Sequence, residues 1–113
     1  MNADCIFCKI VAGEIPGDFV LRNDRVSAFR DINAAAPTHV LIVPNEHIGT
    51  LNDLTDPETA AALLAAAREI AAAEGVSASG YRLIANNGPD GRQEVPHLHF
   101  HLLGGRRMKY PVG

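Results

Sequence analysis

Three of the five histidines in this chain fall at alternate positions of one short stretch, His97, His99 and His101 of PHLHFHLL (residues 96–103). Histidine is the side chain best suited to ligate metal, shuttle protons or act as a nucleophile near neutral pH. Alternation is the period of an extended strand, whose successive side chains point to opposite faces. The spacing therefore predicts a strand with Leu98, Phe100 and Leu102 on a core face and the three imidazoles together on the other. A purely structural run is the plainest reading, but three ionisable rings in register each need a partner. Two chemical readings remain: metal ligation by neutral imidazole, or nucleophilic and acid–base chemistry. Clustered imidazoles discourage one another from holding a proton, so the expectation is a neutral His99 able to attack phosphorus.

The residues just upstream bear on that choice. Asn86, Asn87, Gly88, Gly91 and Gln93 precede the histidines. Glycines let backbone amides approach an anion, and Asn or Gln side chains add neutral donors, so the loop reads as a phosphate cradle. Asn-Gly and Pro-Asp-Gly are also ordinary turn chemistry. At the other end, Cys5-x-x-Cys8 fits half a zinc site or a redox dithiol. The redox motif needs a thioredoxin-like βαβ context, which the chain does not offer.

Several elements must position these groups. Ile6, Phe7 and Ile10 recur at helical spacing, with Gly13 as a stop. Phe19–Arg22 and Val26–Asp31 read as a hairpin around Asn23 and Asp24. Val40–Val43 is a buried strand closed by Pro44, with Pro37 before it. Thr55 or Asp56 caps a helix running to Ala73, with Pro57 in its first turn, an apolar stripe of Leu63, Leu64 and Ile70, and Gly75 beyond its end. Tyr81–Asn86 is a further strand, and HLHFHLL the last, ended by Gly104 and Gly105. Short connections favour antiparallel pairing. The fold class is α+β, an antiparallel sheet of about five strands with one long and one short helix.

The 113 residues form one domain, 1–113, 47% hydrophobic and 20% charged, as ordinary globular chains are. A net charge of −3 provides no field for duplex nucleic acid or an anionic membrane. Arg106, Arg107 and Lys109 form the one basic cluster, read as a solvated tail. No apolar run is long enough to span a bilayer. MNADCIF lacks the pattern of a secretion signal. A cytoplasmic home follows, where two cysteines do not form a structural disulfide.

With these features in hand, HLHFHLL matches the His-x-His-x-His-x-x motif of the histidine triad (HIT) superfamily. CIFCKIVAGEIP, AFRDINAAAPTHVLIVPNEHI, NNGPDGRQEVPHLHFHLLGGRRM and the terminal YPVG resemble its histidine triad nucleotide-binding branch in the same order. The resemblance implies a HIT-like fold, a homodimer with a continuous sheet, and a purine nucleoside monophosphate or adenylated small molecule as ligand. It further implies hydrolysis of phosphoramidate or acyl-phosphate bonds through a nucleotidyl-histidine, with no cofactor in the chemistry. Carried over, His99 is the nucleophile, flanked by His97 and His101, and His39 is the upstream member of the catalytic set. Asp31 takes the ribose hydroxyls. Ile6, Phe7, Phe29 and Ile32 wall the base, residues otherwise read as core. Asn86 and Gln93 contact phosphate and leaving group, with His99 and His101 beside them.

Glu94 stands where many members carry a serine that helps protonate the leaving amine, and Pro96 where an aromatic is usual. Glu94 acts as a general acid if burial raises its pKa, and otherwise repels the phosphate. By analogy with bacterial members, Cys5, Cys8, His47 and His97 form a closed site for a structural zinc, which removes His97 from acid–base work. Rival readings are cleavage of dinucleoside polyphosphates, a nucleotide-binding module with little turnover, and a histidine metal site alone.

Overall fold

The computed structural model describes residues 4–110 and 113, so positions 1–3 of the N-terminal reading and 111–112 of the YPVG block lie outside it. Along the chain run α1 (Ile6–Val11), β1 (Phe19–Arg22), β2 (Val26–Arg30), β3 (Thr38–Pro44), a 3₁₀ turn (Leu51–Asp53), α2 (Pro57–Ala73), β4 (Tyr81–Ala85) and β5 (Phe100–Gly104). The strands form one sheet in the order β1-β2-β3-β5-β4, with every neighbouring pair antiparallel. The α+β reading with five strands and a long and a short helix describes it. The 3₁₀ turn is additional.

Local chemistry explains the ends of the elements. Asn23 Oδ1 accepts from the amides of Arg25 and Val26 at 2.9 and 2.8 Å, closing the β1–β2 turn. Asp56 caps α2 by accepting from the Glu58 amide at 3.2 Å, and Pro57 begins the helix where its missing donor is harmless. Gly75, at φ +74°, supplies the left-handed residue just past the helix end. The two terminal guanidinium nitrogens of Arg30 donate to the Glu74 carboxylate at 2.7 and 2.9 Å, joining the end of β2 to the end of α2.

The sheet buries both faces. On one, Val26, Ala28, Val40, Ile42, Leu98 and Leu102 meet Leu63, Ala66, Ala67, Ile70 and Ala71 of α2. On the other, Phe29, Leu41 and Val43 meet Cys5, Phe7, Cys8 and Ile10 from the N-terminal segment. β3 is buried along its whole length, which is why Val40–Val43 reads as an unbroken apolar run.

Several expectations need correction. Leu64 does not belong to the buried stripe. It is 57% exposed, because it follows Leu63 by about 100° of helical rotation. The last strand is also shorter than the histidine spacing suggests, for pairing begins at Phe100. Pro96 has no amide to give a ladder, the His97 amide donates to Val95 O at 2.8 Å, and the Leu98 amide donates to Ile48 O at 2.6 Å. The β2 and β4 boundaries each fall one residue earlier than expected, at Arg30 and Ala85. Arg106, Arg107 and Lys109 are exposed, as a solvated basic segment should be, and the backbone there is also tied down: Arg106 donates to Ala35 O at 2.9 Å and Arg82 to Lys109 O at 3.2 Å.

Urea unfolding tests the α2 face of this core. Ile70→Ala and Leu98→Ala should each cost about 2–5 kcal/mol through lost burial and the cavity left behind. Arg68→Ala, on the exposed side of α2, should stay within about 0.5 kcal/mol.

Candidate active site

The alternation of the histidine segment survives even where the ladder does not. Leu98 and Leu102 enter the core under α2, and the three imidazoles turn to the opposite face. There the rings form a continuous row. Phe7 packs edge-on against His97 at 5.9 Å and His99 at 5.0 Å between centroids. His99 meets His101 at 5.1 Å, and His101 meets His39 at 5.2 Å. The β3–β5 register brings His39 into the row, since Leu41 pairs with His101 and His39 with Leu103.

Backbone groups decide which nitrogen of each ring carries the proton. A carbonyl can only accept, so His99 Nδ1, 2.7 Å from His97 O, carries a hydrogen and leaves a lone pair on Nε2. His97 Nε2 donates to Pro44 O at 3.0 Å, leaving its Nδ1 lone pair toward the cysteines. At His39 the logic runs the other way. The Ala35 amide donates to Nδ1 at 3.0 Å, so the neutral ring carries its hydrogen on Nε2. That hydrogen faces His101 Nδ1 at 2.9 Å and Asp31 Oδ2 at 3.3 Å. Where His101 Nδ1 accepts it, the neutral His101 ring keeps its own hydrogen on Nε2; where Asp31 takes it, that constraint on His101 is lifted.

Burial is the main reason that His39, His97 and His101 resist protonation. It leads the downward shifts of His39, His97 and His101, with the neighbouring imidazoles as smaller contributors at His97 and His101. At these three rings loss of solvation stands ahead of the mutual repulsion that the clustering suggested. Asp31 opposes the shift at His39, and both Asp31 and Glu94 oppose it at His101.

A second cluster adjoins the first. Cys5 caps α1, its sulfur accepting from the Cys8 amide at 3.3 Å, so the Cys-x-x-Cys spacing turns both sulfurs to the same end of the helix. Cys5 Sγ lies 3.2 Å from His97 Nδ1, and Cys8 Sγ lies 3.2 Å from His47 Nδ1 and 3.5 Å from His97 Nδ1. All four ligand atoms lie within 4.8 Å of one another. A tetrahedral zinc with Zn–S about 2.3 Å and Zn–N about 2.0 Å spaces its ligand atoms by roughly 3.3–3.8 Å, so the donor set fits that ion. The Pro44 carbonyl behind His97 is the outer partner such a ligand needs. Burial raises the Cys5 thiol pKa, which a bound cation would reverse.

Asp31, His39 and His101 also bring ligand atoms within 4.8 Å of one another. Here the fit to a metal is poor. The nitrogen that would bind it, His39 Nε2, carries the hydrogen that the Ala35 contact dictates.

The remaining candidates are distributed around the rings. Phe7 and Phe29 are buried, in edge contact at 5.5 Å. Ile6 and Ile32 are 47% and 96% exposed and so are not core. Asn86 follows the Ala85–Phe100 pair, which sets it level with His99. Gln93 faces inward to its own loop, its oxygen accepting from the Gly88 amide at 3.0 Å and its Nε2 donating to Gly49 O and Val95 O at 2.8 and 3.0 Å. Glu94 is exposed, so burial is not available to make it an acid. The loop closes tightly: a Cβ on Gly91 would meet Asn87 O at 2.8 Å. Sequence reasoning missed the Ala35 amide, the Pro44 carbonyl and Ile84. The first two act through the backbone and carry no side-chain signal. Ile84 pairs with His101 and could have been found by counting two back from Asn86.

Comparison with known proteins gives the same outline. The HIT domain matches residues 12–108. The chain is 49% identical over 110 residues to the purine nucleoside phosphoramidase of Escherichia coli strain K12, covering 96% of this chain and 92% of that one. It is 46% identical over 117 residues to the 14 kDa zinc-binding protein of Zea mays, covering 99% and 90%. A HIT family hydrolase of Legionella pneumophila Philadelphia 1 superposes with TM-score 0.94 at 51% identity, over 97% of this chain and 100% of that one.

Two measurements follow. Below pH about 6.5 the unfolded chain takes protons that buried His39 and His101 refuse, so the unfolded state binds more protons and stability falls with the pH. Urea midpoints should therefore rise from pH 5 to 7, and His101→Asn should flatten that slope. Elemental analysis should find one zinc per chain, lost in Cys8→Ser. A slope unchanged by His101→Asn, or a metal-free wild type, would contradict these readings.

Proposed function

The chain belongs to the HIT domain family, and on that premise we propose that it is a purine nucleotide-binding hydrolase or transferase acting at the α-phosphate. Its substrates are nucleoside phosphoramidates or acyl-nucleotides, cleaved through a nucleotidyl-histidine. The observation that carries the reading is the 2.7 Å bond from His99 Nδ1 to His97 O, which leaves Nε2 with a free pair in a water-poor row of rings. In the forward step Nε2 bonds to phosphorus as the bond from phosphorus to the leaving atom breaks; a phosphoramidate nitrogen leaves with a proton from solvent, and an acyl oxygen leaves as carboxylate. Water then adds to phosphorus, its proton returns to solvent, and His99 departs unchanged. His101 assists through the hydrogen on Nε2, a donor suited to a phosphate oxygen.

In this reading the exposed faces of Ile6 and Ile32, with Phe7 and Phe29 behind, take the base. Asp31 accepts from the ribose hydroxyls, and Asn86, Gln93 and Glu94 stand along the phosphate and leaving-group path. Gln93 acts by bracing the loop, because its amide hydrogens are committed to Gly49 and Val95. His97 belongs to the metal centre with Cys5, Cys8 and His47, where a zinc would tie α1 to the sheet and take no part in the chemistry. His99, His101 and His39 remain for catalysis.

The reading includes a single domain over 1–113 and a homodimer. β4 is an edge of the sheet, and an identical edge from a second copy can continue it. Among the described residues no helix is long and apolar enough to cross a membrane. Two unpaired, buried cysteines suit the reducing cytoplasm.

A fluorogenic adenosine phosphoramidate tests the proposal. His99→Asn should lower turnover by about a thousandfold or more while AMP still binds. Mass spectrometry of the quenched wild-type reaction should find AMP on His99. Wild-type protein that binds AMP without turnover would instead mark a binding module.

A further inference from the structure

We propose that Asp31 is a positioning residue that ties ribose occupancy to the hydrogen-bond state of the His39–His101 pair. The inference rests on the proposed function, since it takes the ribose to lie at Asp31.

The observation is a single hydrogen facing two acceptors. His39 Nε2–H lies 2.9 Å from His101 Nδ1 and 3.3 Å from Asp31 Oδ2. The three groups are held rigidly enough for the competition to matter. Asp31 is the residue after β2, and its amide donates to His39 O at 3.0 Å, so the backbones of the two competitors are clamped together. Asp31 Oδ1 accepts from the Asn33 amide at 2.8 Å, which fixes the carboxylate plane. His39 is itself held from behind by the Ala35 amide.

A carboxylate can accept at about four lone-pair sites. Two are engaged, by Asn33 and by His39, and the side chain is 19% exposed, so a ligand can reach the remainder. A ribose diol donating there draws charge from the carboxylate and weakens its claim on His39 Nε2–H. That hydrogen then settles on His101 Nδ1. With Nδ1 accepting a full hydrogen bond, His101 is held with its own hydrogen on Nε2, the nitrogen that serves the phosphate. No covalent bond is made or broken in this step. A bound ribose thus orders the phosphate donor through two rings, and a nucleotide without the diol binds to a site whose donor is less well defined.

Selective ¹⁵N labelling of histidine reads this directly, because protonated and unprotonated ring nitrogens resonate far apart. The probes are AMP and its 2′,3′-dideoxy analogue on the whole protein. AMP should move the His101 signals to a pure Nε2–H pattern, the dideoxy nucleotide should bind without doing so, and Asp31→Asn should make the two nucleotides equivalent. With the matching phosphoramidate substrates, loss of the diol should lower kcat about tenfold in the wild type, and not in Asp31→Asn. If both nucleotides shift His101 equally, or if the diol affects KM alone, the coupling is refuted while the proposed function stands. If neither nucleotide binds, the proposed function fails and this inference with it.

Discussion

What the rest of this structure depends on is the pairing of each buried imidazole with one backbone group. A neutral ring has one donor and one acceptor, and the chain decides which is which by presenting a carbonyl or an amide. His97 and His99 face carbonyls, and His39 faces an amide. Reversing either kind of contact would put the reactive lone pair on the wrong side of the ring. Three rings of similar burial thereby acquire different work: His97 turns its lone pair to the cysteines, His99 keeps one free on Nε2, and His39 presents a hydrogen. Desolvation supports this arrangement at His39 and His97, whose protonation is disfavoured once water is removed.

The sheet makes the pairing possible by separating apolar and polar burial. α2 covers one face with small and aliphatic side chains, and its closeness owes much to Ala66, Ala67 and Ala71. The opposite face carries the rings, the thiols and Phe29, under a short helix. Among the described residues no buried side-chain nitrogen or oxygen lacks a hydrogen-bond partner. This matters because an unpaired polar group in such surroundings costs roughly 1–3 kcal/mol. The imidazole row is therefore built into the fold and does not strain it.

Much of this was legible in the residues, and the illegible parts share a cause. The period-two run of histidines announced its own face, the Asp-Pro pair at 56–57 announced α2, and Cys-x-x-Cys announced a pair of sulfurs. Long-range hydrogen bonds of the backbone did not show. Pairing of the Leu98 amide with Ile48 O shortened β5, and the Ala35 amide and Pro44 carbonyl set the tautomers. None of these has a side-chain signature. Leu64 failed for another reason: in an alanine-rich helix, alanines fill the buried stripe and a leucine on it is not required. Gln93 was legible as a loop residue, but the acceptors it faces, Gly49 and Val95, belong to backbone that only the folded loop brings near.

The short helix α1 shows how closely the cysteine cluster and the imidazole row are joined. Six residues are too few to hold a helix by hydrogen bonding alone, since nucleation is unfavourable and propagation brief. Its order must come from tertiary contacts, and there are two sets. Cys5 and Cys8 reach His97 and His47 at one end, and Phe7 packs between the His97 and His99 rings. The run Cys5, Ile6, Phe7 and Cys8 thus assigns adjacent residues to different tasks: sulfurs to the cysteine–histidine cluster, Phe7 to the imidazole row, and Ile6 outward to the solvent-facing side. Anything that loosens the sulfur–imidazole cluster also loosens the aromatic support behind His99. The cysteines bear on the imidazole row in this way, through the rigidity of a helix turn.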